Sequence, residues 1–103
     1  MKNCRIELWG GSLDDNRWQA SINTAAEKNI TYHIKSFWNG VGSFNGISSA
    51  RIQGCTAELM DSSGQKRCIL TPGIYKSNFP YNCGNDVVTQ YRIISGKEGV
   101  ISV

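Results

Sequence analysis

One short pattern occurs twice, and its recurrence limits what this chain can fold into more than any other feature. Cys4-Arg5-Ile6-Glu7-Leu8-Trp9 is echoed 51 residues later by Cys55-Thr56-Ala57-Glu58-Leu59-Met60, both reading C-x-x-E-L and then a large apolar residue. Two further echoes follow in the same order. Arg17-Trp18 aligns with Arg67-Cys68 at an offset of 50, and Ile47-Ser48-Ser49-Ala50-Arg51-Ile52 aligns with Val88-Thr89-Gln90-Tyr91-Arg92-Ile93 at an offset of 41. Self-similarity in fixed order, at a period too short for an independent core, implies two like units packed on one another. The falling offset places about ten additional residues inside the first unit, read here as an insertion near 23–32.

The 103 residues suffice for a single domain over 1–103, with motif one at about 3–53, motif two at about 54–95 and a tail over 96–103. Three Trp, four Tyr and three Phe supply one core, and eleven Gly with few helix formers lean toward strands and turns. Lys and Arg are scattered singly through a chain of net charge +3, whereas tracking a phosphate backbone needs a basic stripe. Nucleic acid is therefore not an expected partner. No stretch is long and apolar enough to span a membrane.

Strands are predicted over 4–9 and 55–60, where apolar and polar residues alternate. Polar turns follow each, with Asn16 and Gly64 expected to take positive φ, and return strands run over Arg17–Ile22 and Lys66–Leu70. Thr24-Ala25-Ala26-Glu27-Lys28 reads as a helical turn within 23–29. Tyr32 to Trp38 alternates again, with Tyr32, Ile34 and Ser36 on one face and His33, Lys35 and Phe37 on the other. Ala50-Arg51-Ile52 and Tyr91-Arg92-Ile93 close the two units. Four strands per unit and short turns predict an all-β fold, two Greek-key motifs forming an antiparallel β-sandwich.

Four cysteines in a small chain with a thin core suggest two disulfides and an oxidising, secreted or extracellular setting. Three pairings are open. A bridge between Cys55 and Cys68 across the second hairpin is the preferred one, leaving Cys4 with Cys83. The alternative is a cytoplasmic chain with four reduced thiols, since Met1-Lys2-Asn3 opens no apolar run of the kind a signal peptide needs. With one histidine and no C-x-x-C pair, a closed zinc site is not expected.

The doubled arrangement resembles the βγ-crystallin domain, in which an N/D-N/D-x-x-S/T-S segment ends each of two motifs. The matching segments are Phe44-Asn45-Gly46-Ile47-Ser48-Ser49 and Asn85-Asp86-Val87-Val88-Thr89-Gln90. Trp9 and Asn16 resemble that family's aromatic-x6-Gly hairpin, with Asn for Gly, and Leu70-Thr71-Pro72-Gly73-Ile74-Tyr75 resembles its following segment. The resemblance implies that the two loops lie together and hold calcium weakly. One site would take Asn45 with the Val87 carbonyl and Thr89 hydroxyl; the other would take Asp86 with the Gly46 carbonyl and Ser48 hydroxyl. Phe44 stands where the first motif usually opens on Asn or Asp, and Gln90 where the second usually ends on Ser. Both positions shape the loop rather than reach the metal. The other reading of these loops is of polar turns whose side chains bond their own backbone.

The function this implies is non-enzymatic: a calcium-binding protein with a structural or stress-protective role. Proteins resembling this fold also include small, basic, disulfide-bonded, secreted antimicrobial or killer toxins and a protease inhibitor, the alternative that cysteine count and charge favour. A lectin acting through Trp18 or Trp38 is a third possibility, set against plain core packing of Trp18, Phe37, Trp38 and Phe44. His33 lacks any marked Cys partner for nucleophilic chemistry. Asp14-Asp15-Asn16 reads as a hairpin tip, Asn29-Ile30-Thr31 as a glycosylation sequon, and Phe79-Pro80-Tyr81 as an apolar contact loop.

Overall fold

The alternating segments become strands because each can bury one face against a second sheet. The computed structural model describes residues 4–76, 83 and 87–96. Eight strands follow in order: β1 (Arg5–Trp9), β2 (Gln19–Asn23), β3 (Thr31–His33), β4 (Ser49–Gln53), β5 (Cys55–Asp61), β6 (Lys66–Leu70), β7 (Gly73–Tyr75) and β8 (Val88–Gly96). They form two four-stranded antiparallel sheets, ordered β2-β1-β4-β7 and β3-β8-β5-β6. In each unit the fourth strand returns beside the first, the Greek-key return. The third strand of each unit crosses to the other unit's sheet: β3 pairs with β8, and β7 pairs with β4.

At the centres of the strands the pair registers repeat the duplication in space. Glu7 lies opposite Arg51 and Leu8 opposite Ala50; Glu58 lies opposite Arg92 and Leu59 opposite Tyr91. Ile6, Leu8, Ala50 and Ile52 face Ala57, Leu59, Tyr91 and Ile93 across one buried cluster. Gly54 alone joins β4 to β5, at φ 74, a conformation in which any Cβ would be strained. Tyr32 and Tyr91 stack with centroids 5.2 Å apart, fastening the crossed strand β3 to β8.

Several expectations need correction. Leu8 faces Ser21 and Leu59 faces Cys68, so Ser21, not Trp18, is the counterpart of Cys68. The extra residues therefore do not form one insertion near 23–32; they are shared among the connections β1–β2, β2–β3 and β3–β4. Segment 23–29 is not helical, and a 3-10 turn forms earlier, at Asn16–Trp18. Asn16 belongs to that turn, and Asp14 takes the left-handed conformation instead at φ 64, while Gly64 has φ 86 as expected. The run from Tyr32 stops being a strand after His33; Ile34 and Phe37 are both buried, so alternation ends there.

Asp14 bends the first hairpin back over its own sheet. Its carboxylate reaches Arg51 at 3.1 Å, and the same guanidinium grips Glu7 through two bonds of 2.8 and 3.0 Å and lies over the Trp9 ring. Arg5 adds a further contact to Glu7 at 3.3 Å. The fork of Arg51, helped by Arg5, holds the Glu7 carboxyl below its ordinary range even though burial pushes the other way. In the second unit Arg92 meets Glu58 at 2.6 Å.

The disulfides pair Cys4 with Cys55 and Cys68 with Cys83, not Cys55 with Cys68. Register explains the correction. Cys68 sits opposite Leu59, four residues along β5 from Cys55, which places the two cysteines roughly 13 Å apart along the strand. A disulfide needs Cα atoms within about 7 Å. Cys4 and Cys55, by contrast, are the same position of the two units and lie 5.2 Å apart, Cys4 just before β1 and Cys55 at the start of β5.

Two stability measurements follow. Replacing Cys4 and Cys55 by Ser opens a loop of 51 residues and should cost about 4 kcal/mol, against about 3 kcal/mol for the 15-residue loop of Cys68 and Cys83. Urea midpoints of the two double variants check this, and the reverse order would contradict it. Glu7 has a folded-state pKa below its unfolded value, so its stabilisation is present above the unfolded pKa and is lost as pH falls through the folded one. Glu7→Gln should thus be less stable near pH 7, and its stability should fall less steeply than that of the parent on acidification through and below the ordinary glutamate range.

Candidate functional site

The described parts of the two loops singled out in the sequence, 44–49 and 87–90, meet at one point. Ile47 and Val88, equivalent positions of the two units, form an isolated antiparallel bridge in which the Ile47 N–H donates to the Val88 carbonyl at 3.0 Å. Pairing of equivalent residues places the local two-fold between the loops, as in a self-complementary interface. Both Ile47 and Val88 are fully buried, which anchors the flanking polar residues at the junction.

Each loop is also tied to its own first hairpin. Ser49 Oγ donates to the Gly11 carbonyl at 2.6 Å, and Ser48 Oγ donates to the same oxygen at 3.1 Å. In the second unit Gln90 Nε2 donates to the Asp61 carbonyl at 2.7 Å. Gln90 is the counterpart of Ser49, and its longer arm makes the corresponding tie. The Asp61 carboxylate meanwhile accepts from Ser63 Oγ at 2.6 Å and from the Ser63 and Gln65 N–H groups, which hold it below the ordinary carboxylate range. Phe37 lies so close to Gly10 that a Cβ there would run into its ring, so only glycine lets the hairpin settle onto it.

Among the buried side-chain nitrogen and oxygen atoms described, three have no hydrogen-bond partner: Trp9 Nε1, Arg92 Nε and Thr89 Oγ1. The two nitrogens carry only N–H donors. Thr89 Oγ1 alone has lone pairs, and a buried hydroxyl without a partner costs about 1–3 kcal/mol. Asn45 is exposed beside Gly46, and Val87 is half-buried next to Val88. Asn85 and Asp86 lie outside the described residues, as do Phe79, Pro80 and Tyr81. Among the described residues no three His, Cys, Asp or Glu side chains converge, so the described oxygens at the junction are carbonyls, hydroxyls and an amide.

Other sequence candidates resolve differently. All four cysteines are in disulfides, which removes a thiolate nucleophile. His33 is exposed at the end of β3. Asp15 caps the 3-10 turn by accepting from the Arg17 N–H at 3.1 Å, and the Arg17 guanidinium holds its carboxyl low, so the Asp14-Asp15 pair serves arginines. Trp18 packs edge-on against Phe37 at 5.0 Å, and Phe37 against Phe44 at 5.3 Å. Trp38 is the exception, 61% exposed. Ser21, Asn23 and Tyr91 meet near it although they are far apart in the chain, and no local pattern announces that meeting. No helix among the described residues is long and apolar enough to cross a membrane. No protein-family model, curated protein or solved structure matches the chain.

Proposed function

We propose that this chain is a single-domain βγ-crystallin-type protein that binds calcium weakly at its two facing loops and is stabilised by it. Its role is then structural or protective rather than catalytic. The observation that carries the reading is Thr89 Oγ1, a buried lone-pair donor left without a partner in the loop that faces Ile47. A cation is one group that satisfies such an oxygen. Thr89 with the Val87 carbonyl and Asn45 would hold one ion; Ser48 with the Gly46 carbonyl and Asp86 would hold the other. Ser48 Oγ spends its proton on Gly11 and keeps its lone pairs for a metal. With Asp86 the only carboxylate in the set, affinity belongs with that of extracellular modules, on the order of 10⁻⁴–10⁻³ M. Two disulfides fit an oxidising, extracellular setting.

Thermal melts in EDTA, calcium and magnesium test the reading. Calcium at a hundred times its dissociation constant adds about 2.7 kcal/mol, a rise of about 10–20 °C for a domain of this size. Magnesium, which resists dehydration and demands a tighter shell, should add far less. Thr89→Val should be at least as stable as the parent in EDTA and should lose part of the calcium shift. The absence of any calcium-specific rise would overturn the reading. The same two disulfides on a chain of net charge +3 support a second one, a secreted toxin or protease inhibitor. Growth inhibition that survives Asp86→Ala, after calcium binding is lost, would favour it.

A further inference from the structure

The two units differ most where Ser21 replaces Cys68. In the second unit Cys68 on β6 is covalently tied to Cys83, which is fully buried, so the later chain is stitched onto that edge strand. At the matching place in the first unit Ser21 on β2 carries a hydroxyl, and an open cleft of about 510 Å³ lies between β2, β3 and the segment that follows β3. That volume is within the range of small-molecule sites.

Polar groups line its interior. Asn23 Nδ2 donates to the Tyr91 hydroxyl at 3.0 Å, and Ser21 Oγ lies 3.4 Å from the same oxygen. Tyr91 is only 2% exposed, and its ring is clamped against Tyr32, so this hydroxyl is fixed in place. His33 and Lys35, both exposed, add donors on the β3 side. Trp38 stands among the lining residues with 61% of its surface exposed. Its backbone is held: the Trp38 N–H donates to the Gln19 carbonyl of β2, the Gly40 N–H donates to the Phe37 carbonyl at 3.0 Å, and the neighbouring Phe37 side chain is buried. A large indole kept out of the core on a fixed backbone is a rigid, flat platform beside a row of neutral hydrogen-bonding groups.

We propose that the cleft between β2 and β3 is a saccharide-binding site for a ligand of about disaccharide size. One pyranose ring would stack its C–H face on Trp38, and its hydroxyls would bond Ser21, Asn23 and the Tyr91 hydroxyl. The chemistry matches on both counts. The negative face of an indole attracts the weakly positive C–H face of a sugar, and the lining offers hydroxyl and amide groups with Lys35 its one fixed charge. A purely apolar ligand would leave the Ser21, Asn23 and Tyr91 groups without exchange partners for the water they lose.

The test is a titration of the intact, disulfide-bonded protein in EDTA, which keeps it independent of the calcium loops. N,N′-diacetylchitobiose, cellobiose, maltose and lactose are each added to about 10 mM, enough to fill most of a site whose dissociation constant is about 1 mM. Tryptophan fluorescence and isothermal calorimetry report binding. At least one saccharide should bind saturably. Trp38→Ala should weaken it roughly tenfold or more. Tyr91→Phe, which removes the hydroxyl but keeps the ring and its stack on Tyr32, should weaken it several-fold while the variant stays folded at the temperature of the titration. Failure of all four saccharides to bind overturns the proposal. So does binding that is unchanged in both variants.

Discussion

The exchange of third strands is the constraint on which the rest of the structure depends. β3 completes the sheet of the second unit and β7 completes the sheet of the first, so neither unit owns a four-stranded sheet without the other. A three-stranded remnant of either unit would bury too little apolar surface to offset the conformational entropy of ordering it. The exchange also sets the geometry between the units. With β4 and β8 each paired on both edges, Ile47 and Val88, just before or at their starts, are brought into contact. The Cys4–Cys55 bridge then locks the opposite ends of the same arrangement, between positions that the duplication makes equivalent.

Within this near-symmetric frame, the departures from symmetry carry the individuality of the molecule. The first hairpin is longer and is folded back by Asp14 onto Arg51, whereas the second is short and organised by the Asp61 carboxylate. Ser49 and Gln90 do one job with side chains of different length, because the hairpin carbonyls they reach belong to loops of different size. Ser21 and Cys68 divide more sharply. One leaves a cleft beside an exposed indole; the other is bonded to Cys83. A duplicated fold thus supplies two versions of each corner, and side-chain changes decide which is closed.

Much of this was legible along the chain. The C-x-x-E-L echo located β1 and β5, and the Arg-Ile echo located β4 and β8, because strand alternation is a local property written at a period of two. That the loops around Ile47 and Val88 lie together was expected only through the βγ-crystallin resemblance, and the bridge between those two residues is what the fold adds. Other features were misread for identifiable reasons. The match of Trp18 with Cys68 failed because it rested on a single shared arginine, which carries no register, and register alone puts Ser21 there. The preferred disulfide failed because nearness along a hairpin is not nearness in space when the cysteines are four residues out of register. Exposed Trp38 and packed Trp18 are indistinguishable in sequence, since both sit in polar, turn-rich surroundings.

By itself, the sequence determined the class of fold, the number of units, the first and last strand of each, and the oxygen-bearing residues available to the facing loops. These rest on local alternation, turn chemistry and self-similarity, all of which are short-range. Only the tertiary structure decided which cysteines are joined, which residue bends the first hairpin, that Thr89 Oγ1 is buried without a partner, and that Ser21, Asn23, Tyr91 and Trp38 share one cleft. Each of those depends on strand register and on which strand crosses to the opposite sheet. A one-residue slip turns every side chain to the other face, so information of that kind exists only once the two sheets have packed.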